Sequence, residues 1–148
     1  MCVLRVTGAN FDPAEFLRTS TLRPCSVFKT GDPRIASRPH GPVWSSSGFT
    51  IAVSDAAWSD LAAQVSDACG FLERHAGELH TLSQLGAVED IRLDFPIELR
   101  IGHDAVVAQF DYFPPDLVRA AGNLGIGIEL STYACSEEHG SDDDTESA

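Results

Sequence analysis

Long apolar runs are missing from this sequence of 148 residues. No run approaches the roughly 18 consecutive apolar residues that a membrane-spanning helix needs. The N-terminus lacks the charged-then-apolar layout of a secretion signal. We therefore expect a cytoplasmic protein that has no membrane partner.

Clustered metal ligands are also missing. The four cysteines are scattered, and no two have the CxxC spacing of a zinc or redox motif. Cys2 and Cys25 come close only if their strands pair. His75 and His80 are five residues apart in a helical segment, so they face different directions and do not share a metal. We predict no metal site and no cofactor.

Catalytic motifs are equally scarce, because the sequence has no GxSxG, no glycine-rich phosphate loop with its lysine and no HExxH. The glycines of residues 122–127 follow a predicted helix and precede a strand, the reverse of a phosphate-binding turn. Asp90, Asp94 and Glu98 recur every four residues in a predicted strand, where they lie on its polar face without the burial typical of catalytic carboxylates. The sequence leaves catalysis open and favours a non-enzymatic protein.

Basic residues are few, and the formal net charge is −12. Residues 1–43 hold six basic and three acidic residues, residues 44–133 hold four and thirteen, and residues 134–148 hold none and six. Nucleic-acid binding needs a basic face, so this balance argues against a nucleic-acid partner. It suits an acidic surface that meets a basic, toxin-like protein, although acidity also simply keeps a protein soluble.

The clearest periodic signal lies in residues 58–85. Apolar side chains recur there in steps of three and four, which places one stripe of a helix against a core. The stripe consists of Trp58, Leu61, Val65, Ala68, Leu72, His75, Leu79 and Leu82. Gly70 and Gly77 each disfavour a helix interior, so we expect a bend, or two helices that break near residues 75–77.

Short alternating segments predict about six strands around this helical region. They cover residues 2–7, 25–28, 48–53, 88–101, 105–110 and 126–133, with residues 43–45 as a further strand edge. Pro96 donates no ladder bond and therefore predicts an edge strand or a break. Asp12-Pro13 and Pro114-Pro115 each open a short helix.

These elements predict one α+β domain over residues 1–133. In it, a mostly antiparallel sheet is covered by the long helical region and the two short helices. Residues 134–148 have almost no apolar side chain, so we expect a disordered acidic tail.

The most polarised segment is residues 29–44. Its first fourteen residues carry three prolines and two glycines, which predicts a long irregular loop, and such loops often bind partners. Exposed Arg and Trp are the residue types that anchor interfaces. We take six residues as candidate partner or ligand contacts: Lys29, Asp32, Arg34, Arg38, His40 and Trp44. A basic, disordered loop that balances local acidity explains the same composition.

Several short motifs follow one another along the chain. They are Leu4-Arg-Val-Thr-Gly, Phe11-Asp-Pro-Ala-Glu-Phe-Leu, Leu22-Arg-Pro, Phe28-Lys-Thr-Gly-Asp32, Trp44 and Gly125-Ile-Gly-Ile-Glu-Leu-Ser-Thr-Tyr133. In this order they resemble the bacterial domain-of-unknown-function family 4279 over residues 2–133. The resemblance implies a small cytosolic α+β domain without an assigned activity, and some such bacterial families serve as immunity proteins beside toxin genes. It brings no catalytic residue to this chain.

We therefore expect a non-enzymatic interaction protein, of the immunity or antitoxin kind. It would bind and neutralise a protein partner through its acidic face or through residues 29–44. The alternative is a small-molecule or nucleotide-binding domain, perhaps an enzyme, in which Lys29, Asp32 and Arg34 line a pocket and arginine binds a phosphate in bidentate fashion. A domain whose partner is a second copy of itself also stays open.

Overall fold

The structure, a computed structural model, describes residues 1–102 and 106–134. The elements within those residues are β1 (Val3–Gly8), α1 (Pro13–Leu17), β2 (Ser26–Phe28), β3 (Ser47–Ala52), α2 (Leu61–Arg74), α3 (Ala76–Ser83), β4 (Asp90–Leu99), α4 (Pro115–Asn123) and β5 (Gly127–Ala134). Of the turn expected at residues 102–104, only Gly102 is among the described residues. Ala134, expected to begin the disordered tail, is the last residue of β5, and the rest of the expected tail, residues 135–148, lies outside the described residues.

The described strands form one mixed sheet in the order β2-β3-β1-β4-β5. β1 pairs antiparallel with β3 and β4, and β2 pairs antiparallel with β3. β4 and β5 run parallel, and the chain between them contains α4, since parallel neighbours need a crossover connection. The predicted α+β class is confirmed. Three of the sheet's four pairings are antiparallel, in agreement with the predicted mostly antiparallel sheet, and the β4–β5 pairing makes it mixed. It has five strands, not about six, within the described residues.

The strand predicted at residues 105–110 is wrong for its described part. Residues 106–113 join no ladder of the sheet. The side chain of Gln109 makes the link instead, because its amide group bonds to the backbone of Glu98 and Arg100. The expected strand edge at residues 43–45 is a single bridge between Pro33 and Val43.

Pro96 lies inside an unbroken interior strand, against the expectation of an edge strand or a break. The reason is the register of the neighbouring strand. β1 pairs with β4 only as far as Asp94, so Pro96 lies beyond the end of that ladder, where β4 pairs with β5 alone. A missing N–H group is tolerated where a ladder does not require it.

The expected break in the helical region is confirmed, since α2 ends at Arg74 and α3 begins at Ala76. His75 between them has φ −109° and ψ 14°, outside helical geometry. The predicted stripe fails at its first residue. Asp60 caps α2 through a hydrogen bond from Ala63 N, so Trp58 precedes the helix and is exposed.

The core lies between one face of the sheet and the helices. Side chains that alternate along the strands meet the apolar stripes of the helices there. Its fully buried members include Leu4, Val6, Phe49, Leu72, Leu79, Leu82, Leu93, Phe95 and Leu117. None of the helices in the described ranges is long and apolar enough to span a membrane.

Candidate functional site

Residues 29–44, which we call the arm, leave the sheet after β2 and return to β3 as a folded ribbon. Three backbone hydrogen bonds of 2.8 to 2.9 Å join its two sides: Gly31 N to Trp44 O, Trp44 N to Asp32 O and Arg34 N to Pro42 O. Gly31 has φ 88°, a left-handed conformation that suits glycine. The irregular loop expected here is therefore an ordered projection.

Trp44 fixes the arm to the sheet. Its ring stacks on Phe28, with ring centroids 4.1 Å apart and planes at 21°. The guanidinium carbon of Arg34 lies 5.2 Å from the centroid of the Trp44 ring, within cation–π range. Phe28 in turn packs over Gly48, where an added Cβ would lie 2.9 Å from the ring. We call Phe28, Trp44 and Arg34 the aromatic stack.

The six residues predicted as contacts divide into two groups by role. Asp32, Arg34 and Trp44 hold the arm together. The Asp32 carboxylate accepts a 2.9 Å hydrogen bond from Lys29 N, and Arg34 packs on the Trp44 ring. The side chains of Lys29, Arg38 and His40 are exposed, and they form no hydrogen bond or ion pair with another described residue. Arg34, Trp44 and Asp32 therefore have structural partners, and the other three face solvent.

The face of the sheet opposite the core carries a charged network centred on Arg92. Its Nε lies 2.6 Å from Asp90 Oδ2, and its Nη1 lies 3.2 Å from Glu129 Oε2. The hydrogen bond to Asp90, followed by the one to Glu129, raises the pKa of the Arg92 guanidinium above its ordinary value. These charges are paired with one another across β4 and β5.

Asp94 lies on the same face, as predicted, but it is buried, with 9% of its surface exposed. It accepts a 2.6 Å hydrogen bond from Ser131 Oγ, and its other oxygen lies 4.0 Å from Arg5. The expectation that the β4 carboxylates show no burial is wrong for this residue, because β1 and β5 flank it on both sides. Its partners give it a structural role in joining the strands.

The Glu78 carboxylate joins α3 to the segment that follows α1. It accepts hydrogen bonds from Ser20 Oγ (2.6 Å), Thr21 N (3.0 Å) and Thr21 Oγ1. The hydroxyl hydrogen bonds from Ser20 and Thr21 lower the pKa of Glu78 to about 2. They stabilise the charged form, which is the form that accepts all of them.

We expect Glu78→Gln to lower the free energy of unfolding at pH 7 by about 1–2 kcal/mol, since hydrogen bonds to a charged acceptor are lost. The effect should depend on pH. The folded pKa lies below the ordinary 4.5, so the stabilisation is complete above about pH 4.5 and is lost as pH falls toward 2. Urea unfolding at pH 7 and pH 3 measures both effects. The matched control is Glu73→Gln, which removes an exposed carboxylate on α2. Equal losses at the two pH values would contradict the assignment.

A second surface was missed by the sequence interpretation. Val107, Phe110 and Tyr112 are 91%, 89% and 71% exposed. They belong to residues 106–112, which we call the aromatic ledge. Residues 105–110 were predicted as a strand, and no sequence signal showed that Gln109, and not Phe110, turns inward.

Polar side chains hold the ledge in place. Gln109 accepts a 2.8 Å hydrogen bond from Arg100 N, and its amide nitrogen donates to Glu98 O at 3.2 Å and to Asp111 Oδ2 at 2.8 Å. Arg100 also pairs with Asp111 at 3.2 Å. Trp58, stacked on Tyr133 with centroids 4.8 Å apart, lines a small cleft with Arg100, Gln109 and Asp111.

The larger clefts are open grooves away from the arm. One of about 470 Å³ follows α1 and the chain at residues 85–87, and one of about 410 Å³ lies between α2 and α4. No group of three or more His, Cys, Asp and Glu side chains in the described ranges is arranged to hold a metal ion.

Cys2 and Cys25 are free thiols, and burial raises the pKa of Cys2 to about 12. Cys2 and Cys25 precede β1 and β2, which do not pair with each other, so the condition for their approach is not met.

Comparison with known proteins gives no match to a family model, to a curated protein or to a solved structure. The resemblance to family 4279 therefore stays a prediction. The arm, the charged face and the ledge are the features of this chain that bear on its function.

Proposed function

We propose that this protein is a non-enzymatic interaction module, of the immunity or antitoxin kind, that binds and neutralises a protein partner. The arm is its contact surface. The supporting observation is that the arm is ordered, exposed and fixed at its base by the aromatic stack. A surface held in its binding shape loses less conformational entropy on association than a mobile loop does.

The side chains that the arm presents suit a protein interface. Lys29 and Arg38 are exposed cations, and Ile35 and Val43 are half-exposed apolar side chains. Mixed apolar and charged contacts of this kind give both buried area and orientation. The arm cations select an acidic patch on the partner, whereas the acidic remainder of the protein selects basic regions, as in a toxin-like protein.

The alternative is small-molecule or nucleotide binding by residues 29–38, and it has weaker support. Asp32 is hydrogen-bonded to Lys29 N, and Arg34 packs on Trp44 and donates to Val43 O at 3.2 Å. Two of the three side chains expected to line a pocket are thus engaged within the arm. A thermal-shift screen of metabolites tests this alternative, since a ligand raises the melting temperature with its concentration.

The test of the proposed function is a charge reversal at the arm, Lys29→Glu with Arg38→Glu. We expect at least tenfold weaker capture of the partner from lysate of the native host, because two exposed contacts become repulsive. Arg18→Glu with Arg119→Glu makes the same change in net charge at the C-cap of α1 and in α4, away from the arm, and should leave capture unchanged. Binding curves of the purified partner measure the difference. Equal affinity for the two double variants would refute the arm as the contact surface.

A further inference from the structure

We infer that the aromatic ledge is a second docking surface, and that its occupant is a basic segment of a partner protein that carries apolar side chains. This inference rests on the proposed interaction function and gives the partner's chemistry at a separate site. Three features of the molecule support it: the exposed apolar side chains of the ledge, the contacts that anchor the ledge, and the acidic charge of the protein.

The exposure of the ledge is unusual for a folded domain. Val107, Phe110 and Tyr112 leave most of their apolar surface in water, and Ile101 at the start of the same connection is half exposed. Single exposed apolar residues are common, but several in one short segment mark an interaction surface. Aromatic side chains are also the type enriched at the centre of protein interfaces.

The outward direction of these side chains follows from how the ledge is anchored. Gln109 and Asp111 turn inward, to the backbone of β4 and to Arg100. After the ledge, Phe113 packs against the fully buried Phe95, with ring centroids 5.0 Å apart. The apolar residues between these anchors are therefore held away from the core.

The backbone of the ledge is available as well. Within the described ranges, no backbone–backbone hydrogen bond involves residues 107–112. A segment with free N–H and C=O groups can add main-chain hydrogen bonds to a partner segment, while its side chains select the partner.

The acidic charge of the protein favours a basic segment over the other possible occupants of the ledge, which are an acidic segment, a second copy and the end of the chain itself. The chain carries a formal net charge of −12, and Arg100, the basic residue that contacts the ledge, already pairs with Asp111. A basic segment is attracted to this acidic protein, and an acidic one is repelled. A second copy would bring the same acidic excess. Residues 136–147 of the chain contain no apolar side chain, so they cannot bury the ledge.

The test is selection of a phage-displayed library of random 12-residue peptides on the immobilised full chain. We expect enriched peptides to combine lysine or arginine with apolar residues. Their recovery should fall at least tenfold on Val107→Ser with Phe110→Ser. Val27→Ser with Val118→Ser removes two half-exposed apolar side chains from the surface elsewhere and should leave recovery unchanged. Circular dichroism confirms that both variants fold.

The other outcomes overturn the inference. These are an absence of enriched peptides, enrichment of acidic or uncharged peptides, and full recovery on the ledge variant. If the ledge variant still bound the peptides and the Lys29→Glu, Arg38→Glu variant did not, the peptides would bind the arm. This result would refute the ledge as a docking surface and agree with the proposed function. Sedimentation of the chain alone tests whether the ledge binds a second copy of the protein. A dimer that the parent chain forms and the ledge variant does not would show that the occupant is a second copy and not a basic segment.

Discussion

Gly8→Ala is expected to lower the free energy of unfolding by about 3 kcal/mol, with a fall in melting temperature of roughly 10 °C. A Cβ at Gly8 would lie 1.9 Å from the carbonyl oxygen of Ala87 and 3.0 Å from its carbonyl carbon. These are backbone atoms of the connection between α3 and β4, so no side-chain rotation relieves the overlap. Urea and thermal unfolding measure the loss.

The matched control is Gly77→Ala, the same substitution in α3. Apart from its chain neighbours and the nearby backbone of α3, no atom of the described residues lies within 4 Å of a Cβ at Gly77, and alanine is favoured over glycine in a helix by about 0.5–1 kcal/mol. We expect this variant to be more stable than the parent. If the two variants shifted stability in the same direction, the close approach of Gly8 to Ala87 would not explain the first result.

The helical region shows how far periodicity alone leads. The spacing of Ala68, Leu72, Leu79 and Leu82 predicted a buried stripe, and all four are buried. The bend or break expected near residues 75–77 came from Gly70 and Gly77, which weaken a helix, and not from the spacing. Period alone did not locate the start of the helix, which depends on the cap at Asp60.

The strands show the limit of local patterns. Alternation predicts extended chain, but it does not say whether a neighbouring strand is present to complete a ladder. Residues 105–110 and Pro96 were both misinterpreted for this reason. The parallel pairing of β4 with β5 is likewise decided by the path of the chain through α4, which no short segment encodes.

The candidate site was only partly predictable. The composition of residues 29–44 identified the arm, yet the stack of Trp44 on Phe28 depends on how β2 and β3 align over Gly48. The ledge was not predictable, because apolar residues in a sequence are expected to be buried. Only the folded chain shows that Gln109 takes the inward position and leaves Phe110 outside.

Phe95→Ala should be among the most damaging substitutions in the chain. Phe95 is fully buried, and truncation of such a side chain removes about 3–5 kcal/mol from the free energy of unfolding through lost burial and the cavity left behind. It also removes the ring on which Phe113 packs, at the end of the ledge. Urea unfolding gives the loss, and a decrease below about 1.5 kcal/mol would mean that the core collapses around the gap.

Phe110→Ala is the control for Phe95→Ala, because it makes the same chemical change 15 positions further along the chain. Phe110 is 89% exposed, so we expect a change in the free energy of unfolding within about 0.5 kcal/mol. The contrast bears on function as well as on fold. A phenylalanine that contributes little to stability, on a segment anchored so that it faces water, is available for the docking role that we infer for the ledge. A large loss of stability on Phe110→Ala would instead place Phe110 in the core and remove the structural basis of the ledge.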